Sequence, residues 1–110
     1  MNVYEVKLTH QAEIQLYDIA RYIALELCNP NASDDLVNAF EEAFDDLSNN
    51  PEKNPLVHYE PWRSRGIRWV KVAHYIVYLW IDIENPKVQV TGIAYERMDQ
   101  EKFLDRMNVE

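Results

Sequence analysis

Between Glu60 and Asp99 the chain reads EPWRSRGIRWVKVAHYIVYLWIDIENPKVQVTGIAYERMD, and this stretch constrains the fold more than any other. It holds three β-rich runs, residues 67–73, 75–83 and 87–95, each dense in Val, Ile, Tyr and Trp, the side chains that suit a pleated, half-buried surface. Only Ala73 and His74 separate the first two runs, a gap that suits a tight antiparallel connection. Glu84, Asn85 and Pro86 mark a second turn, because proline fixes its own φ and pushes Asn85 out of the helical region. The three runs read as an antiparallel meander.

Ahead of the meander, residues 3–8 form a short β-like run that supplies a fourth strand. Thr9 follows as a helix N-cap, its hydroxyl placed to accept from an orphan backbone N–H. Apolar residues then recur at Ala12, Leu16, Ile19, Ile23 and Leu27, with Ala20 alongside, a spacing of three and four that gathers them on one helix face. This helix is expected to stop near Cys28. Asn29 and Pro30 restart the pattern, with Asn as cap and Pro at the first helical position, where its missing donor costs nothing. Leu36, Phe40, Ala43 and Leu47, flanked by Val37 and Phe44, make the second stripe, which Asn49, Asn50 and Pro51 end. From Asp99 onward, Phe103 and Leu104 mark a last short helix, whose apolar side Met107 extends.

The expected architecture is therefore α+β. An N-terminal strand, a two-helix hairpin, a three-stranded antiparallel meander and a short C-terminal helix make one domain over residues 1–110, with the hairpin packed on an antiparallel four-stranded sheet. At 110 residues and 47% hydrophobic, the chain suits a single core, and no internal repeat, linker or low-complexity block divides it. Its longest apolar runs are too short to span a bilayer, and the N-terminus lacks the basic-then-apolar pattern of a signal peptide. A cytoplasmic protein with no membrane partner is expected.

The single Cys28 has no partner for an internal disulfide and no base near it in sequence; a small residue at a helix end accounts for it. His10, His58 and His74 are too widely spaced for a zinc site, so no metal is expected. Charge speaks more directly to partners. Nineteen acidic against eleven basic residues give a formal net charge of −8, which repels a polyanion at long range, so tight binding to free nucleic acid is not expected. The charge is unevenly spread. Residues 26–52 carry eight acids and no Lys or Arg, making the hairpin an acidic arm, for which a solvated helix face is a sufficient account. Residues 58–71 reverse the balance: Arg63, Arg65, Arg68 and Lys71 stand against Glu60 alone.

The strand, the helical hairpin, then Glu60-Pro-Trp-Arg-Ser-Arg-Gly-Ile-Arg68, His74-Tyr-Ile-Val-Tyr78 and Ala94-Tyr-Glu-Arg-Met-Asp99, in this order, resemble the RelE/ParE superfamily of bacterial toxins over nearly the whole chain. The most diagnostic pieces are Gly66-Ile67-Arg68, Tyr75-x-Val77 and Tyr95-x-Arg97-x-Asp99, the last similar to the family's Tyr-Gly-Arg-Arg-Asp. The resemblance implies the toxin of a type II toxin–antitoxin module, held inactive by a cognate antitoxin whose segment wraps it. No cofactor is implied.

The superfamily contains two mechanisms. One branch cuts messenger RNA on the ribosome, chemistry that needs a base for the ribose 2′-hydroxyl, cations for the crowded phosphate and a donor for the leaving oxygen. The resemblance points to Glu60 or His58 as base, Arg68 and Arg97 as phosphate clamps, and Tyr95 or His74 as donor or stacking surface. Each also has an ordinary reading as a loop, turn or strand-end residue. Arg68 is the leading candidate. Met98 and Glu96 depart from the family's second arginine and its glycine, which weakens the nuclease case and motivates a further reading, an inactive relic that keeps the scaffold as an interaction protein. The other branch inhibits DNA gyrase by binding it, and its members resemble this chain in their long helical hairpin. Net acidity also suits a protein target better than ribosomal RNA. The gyrase reading is therefore preferred to the ribosome-dependent endoribonuclease, with Arg63, Arg65, Lys71 and Trp62 as candidate binding residues. Trp62, Trp69 and Trp80 are expected to pack, and an exposed Trp62 would instead mark a partner contact.

Overall fold

Thr9 divides the first strand from the first helix. In the computed structural model, which describes residues 3–109, its side chain accepts from Ala12 N at 3.1 Å, while its own N–H donates to Val90 O at 2.9 Å. One residue thus caps helix α1 (His10–Arg21) and holds it to the sheet. The preceding strand β1 covers Glu5–Leu8, shorter than the sequence suggests at its start. Tyr4 is drawn away from the sheet: its N–H donates to Ser48 O at 2.8 Å, and its carbonyl accepts from Ser48 Oγ at 2.7 Å.

Helix α2 (Pro30–Asn49) begins as expected, with Asn29 Oδ1 accepting from Ala32 N and Pro30 in the first turn. Ser33 Oγ donates to Ala20 O at 2.8 Å, tying the two helices together next to their connection. Between the helices the chain differs from a simple hairpin. A π-helical turn, Tyr22–Glu26, inserts an extra residue into the ladder, and Cys28 takes φ 51° to reverse direction. The extra residue slips the helical register, so Leu27 leaves the apolar stripe and stands 56% exposed.

The meander follows: β2 (Arg68–Val72), β3 (Tyr75–Asp82) and β4 (Lys87–Tyr95), with both pairings antiparallel and Ala73-His74 as the two-residue connection. The strand order is β1-β4-β3-β2. β1 pairs with β4 in parallel, Glu5 opposite Lys87 and Leu8 opposite Val90, so the sheet is mixed rather than wholly antiparallel. The reason is topological: α1 leaves from the end of the sheet where β1 stops, and α2 ends beside Tyr4 where β1 begins, so β2, and with it β4, runs in the same direction as β1.

Both faces of this sheet are covered. On one, Val72, Val77, Leu79, Val88, Val90 and Ile93 meet Ala12, Phe40 and Leu47 from the hairpin. On the other, Tyr78 and Ala94 lie with Val57, Trp62 and Ile67 from the 56–67 loop and Leu104 and Met107 from the tail. A register shift makes the double use of β4 possible. Tyr78 pairs with Gly92 but Leu79 pairs with Val90, leaving Thr91 as an extra residue. This β-bulge resets the alternation, so that Val90 and Ile93, three apart, share a face. Past Leu8, β4 has no parallel neighbour, and Ile93 N donates instead to Gln15 Oε1 at 2.8 Å.

The closing helix α3 (Gln100–Asp105) is capped by Asp99, whose side chain accepts from Lys102 N. Phe103 and Leu104 face the second core; Met107, just past the helix, is buried with them. Among the described residues no helix is long and apolar enough to cross a membrane.

Candidate functional site

The second face of the sheet bears a nearly apolar cleft with aromatic walls. Trp69 and Tyr78 are register partners on β2 and β3, and with Ile76 they floor a cleft of about 160 Å³ walled by His58 and Tyr59. Tyr78 is buried, stacks on Phe103 at 5.7 Å between ring centroids, and donates its hydroxyl to Gln100 Oε1 at 2.6 Å. Gln100 Nε2 in turn donates to the Tyr95 and Met98 carbonyls at 3.0 and 2.9 Å, which ties the start of α3 to the end of β4. Burial pushes the Tyr78 hydroxyl far up, so it keeps its proton throughout the physiological range.

Beside this cleft, Lys71 and His74 converge on Glu96. One carboxylate oxygen lies 3.0 Å from Lys71 Nζ and the other 2.7 Å from His74 Nδ1. Hydrogen bonds from Lys71 and then His74 hold the Glu96 carboxyl below its usual range.

Arg68, Arg63 and Arg65 are also engaged. Arg68 stands on the hairpin side of the sheet, opposite Leu79, and its Nη1 donates to the Asn54 and Glu52 carbonyls at 2.6 and 3.3 Å. It thereby satisfies the chain where it leaves α2. Arg63 Nη1 donates to Val57 O at 3.2 Å. The Arg65 guanidinium sits over the Trp62 ring, 5.0 Å from its centroid. Trp62 itself is packed, 7% exposed, in the second core; Trp69 and Trp80 are half-buried against it.

Glu60 Oε1 accepts from Ser64 N at 3.0 Å, and hydrogen bonding to the Ser64 side chain first, with this backbone contact second, holds its carboxyl below its ordinary value. A lowered pKa runs against work as a general base near neutrality, which favours a value near the operating pH. Tyr95 meets Tyr75 edge-on at 5.8 Å between ring centroids, on the hairpin side of the sheet. Arg97 is exposed and takes part in no ion pair among the described residues.

The residues singled out in sequence are thus divided between two faces. Arg68 and Tyr95 belong to the hairpin side, while Lys71, His74, His58 and the Trp62–Arg65 pair belong to the other. Sequence reasoning missed the cleft built from Tyr59, Trp69, Tyr78 and Gln100. A signal was present: β3 is apolar at Ile76, Tyr78 and Trp80 as well as at Tyr75, Val77 and Leu79, the pattern of a strand covered on both sides.

A second surface lies on the hairpin. Ile14, Tyr17, Tyr22 and Leu25 are all about half exposed or more along its first arm, and α2 exposes Asp34, Asp35, Glu41, Glu42, Asp45 and Asp46.

Comparison with known proteins bears on this arrangement. A chain in the crystal structure of the toxin–antitoxin complex RelBE2 from Mycobacterium tuberculosis is similar at 22% identity and a TM-score of 0.61, over 84% of this chain and 98% of that one. A chain of the chromosomal ParDE toxin–antitoxin system from P. aeruginosa is similar at 18% identity and a TM-score of 0.64, over 84% of this chain and 96% of that one. These likenesses concern the fold. No individual curated protein matches the chain. The model of the ParE toxin of the type II toxin–antitoxin system parDE matches residues 6–100, from the first strand to the start of the last helix. The chain belongs to the ParE toxin family of type II toxin–antitoxin systems.

Proposed function

We propose that this toxin inhibits growth in the cytoplasm by binding DNA gyrase, without bond-breaking chemistry of its own, and that a cognate antitoxin neutralises it. The observation that carries the reading is the engagement of the cations a nuclease would need. Arg68 is given to two backbone carbonyls, Arg63 to a third, Arg65 to an indole face and Lys71 to Glu96. Transition-state stabilisation of a phosphoryl centre depends on preorganised cations aimed at developing charge, and here they are aimed at the protein. The exposed apolar side chains of the hairpin, Ile14, Tyr17, Tyr22 and Leu25, instead suit a protein partner.

The ribosome-dependent endoribonuclease is the second reading, favoured by the exposed Arg97 at the rim of the sheet. A short induced expression in bacteria, with amino-acid and thymidine incorporation followed over the first minutes, separates the two. DNA synthesis falling first supports gyrase; protein synthesis falling first overturns the proposal in favour of the nuclease. No fall in either leaves the inactive relic.

A further inference from the structure

The Lys71, His74 and Glu96 cluster lies outside both cores, and the gyrase reading draws on it only in counting Lys71 as an engaged cation. Lys71 lies on β2, His74 in the two-residue turn and Glu96 one residue beyond β4. Glu96 N–H donates to His74 O at 2.8 Å, which fixes the glutamate backbone against the turn. From there its carboxylate spreads its two oxygens over two donors, 3.0 Å from Lys71 Nζ and 2.7 Å from His74 Nδ1. Two nitrogen donors converging on the two oxygens of one anion make an oxyanion-binding geometry, strongest when donor and acceptor are both charged.

Exposure is asymmetric in the cluster. The Lys71 and His74 side chains are 53% and 76% exposed, whereas Glu96 is 25% exposed. The donors are reachable from solvent; the position between them is filled from within. Lys71 pairs with Ile76, a wall of the apolar cleft, so an anion seated here would have Trp69 and Tyr78 as neighbours along the same face.

We propose that Lys71 and His74 form a phosphate-binding pair, held closed in this chain by the Glu96 carboxylate as a built-in competitor. The ligand class is a phosphate monoester or diester, whose oxygens take the places of Oε1 and Oε2. The proposal goes beyond the gyrase reading and does not rest on it. It explains how a fold with a local cation pair can leave polyanions alone: repulsion from a net charge of −8 acts at long range, and Glu96 acts at contact.

The test uses the full chain and its Glu96→Gln, Glu96→Ala, Glu96→Gln/Lys71→Ala and Glu84→Gln variants, each first shown folded by circular dichroism. Glu84 is an exposed acid in the other hairpin turn, so its variant carries the same change in net charge. Affinity is measured for inorganic pyrophosphate by calorimetry and for a fluorescein-labelled 2′-O-methyl oligoribonucleotide by anisotropy. Freeing two donors for a charged ligand is expected to tighten binding in a Glu96 variant by roughly tenfold or more. Glu96→Ala covers the case in which the glutamine amide still occupies both donors. The gain should vanish in the double variant. A gain for pyrophosphate identifies a small-phosphate site and a gain for the oligonucleotide alone a strand-binding one; either supports the proposal. No gain in either Glu96 variant, an equal gain in Glu84→Gln, or a gain that survives loss of Lys71 overturns it.

Discussion

Gly92 on β4 and Phe103 on α3 meet so closely that a single carbon does not fit between them: a Cβ at position 92 would stand 2.7 Å from Phe103 Cε1 and 3.0 Å from Met107 Sδ. The ring belongs to the stack on Tyr78, so it has little freedom to retreat. Gly92→Ala is therefore expected to lift the C-terminal helix off the second face. Overpacking of this kind costs about 1–3 kcal/mol. Thermal unfolding should show a Tm lowered by several degrees, and an unchanged Tm would mean that the tail repacks without loss.

Arg68 offers a way to separate structure from function. Its guanidinium serves the Asn54 and Glu52 carbonyls, so Arg68→Ala leaves the carbonyl of buried Asn54 without this donor, at a cost of about 1–2 kcal/mol. The urea midpoint is expected to fall. Toxicity lost with the midpoint unchanged would place Arg68 at the target instead.

Ala73 adopts φ 54° in the β2–β3 turn, a left-handed conformation that disfavours any residue with a Cβ. Ala73→Gly relieves that but adds chain entropy to the unfolded state, which folding must then lose. The net expected effect is a gain of up to about 1 kcal/mol, seen as a raised Tm. A lowered Tm would show that the alanine methyl makes contacts worth more than the strain.

Acid should weaken the fold through three turn carboxylates. Hydrogen bonds from Ser64, from Asn85, and from Lys71 and His74 hold Glu60, Asp82 and Glu96 respectively below their ordinary values of 4.5, 3.8 and 4.5. A group whose pKa is lower when folded stabilises the fold above its unfolded value and loses that contribution as pH falls through the folded one. The loss begins below about pH 5. The Glu60→Gln/Asp82→Asn variant should melt below the parent at pH 7, with the gap narrowing as pH falls below the ordinary carboxylate range. Parallel curves of Tm against pH would refute the assignment.

Much of the fold was legible because it is decided locally. The Thr9 and Asn29 caps, the two apolar stripes and the dipeptide between β2 and β3 each act within a few residues of themselves. What escaped depends on neighbours far off in the chain. Nothing within residues 3–8 says that they will lie parallel to residues 87–90, nor that Ser48 will claim Tyr4. The bulge at Thr91 shows only as a break in alternation that an all-apolar strand conceals. Arg68 reads as a surface arginine until the carbonyls released at the end of α2 are placed beside it, and Glu96 reads as a lost glycine until Lys71 and His74 are found on its two oxygens.

The parallel pairing of β1 with β4 bears on how the toxin comes into being. The first strand to leave the ribosome must wait for the last one, because β4 is its only neighbour in the sheet. A nascent chain can wind its helical hairpin early, since those contacts are local, but the sheet against which the hairpin packs closes only once Tyr95, the end of β4, has been made. Translation therefore sets a delay between starting a toxin molecule and possessing one.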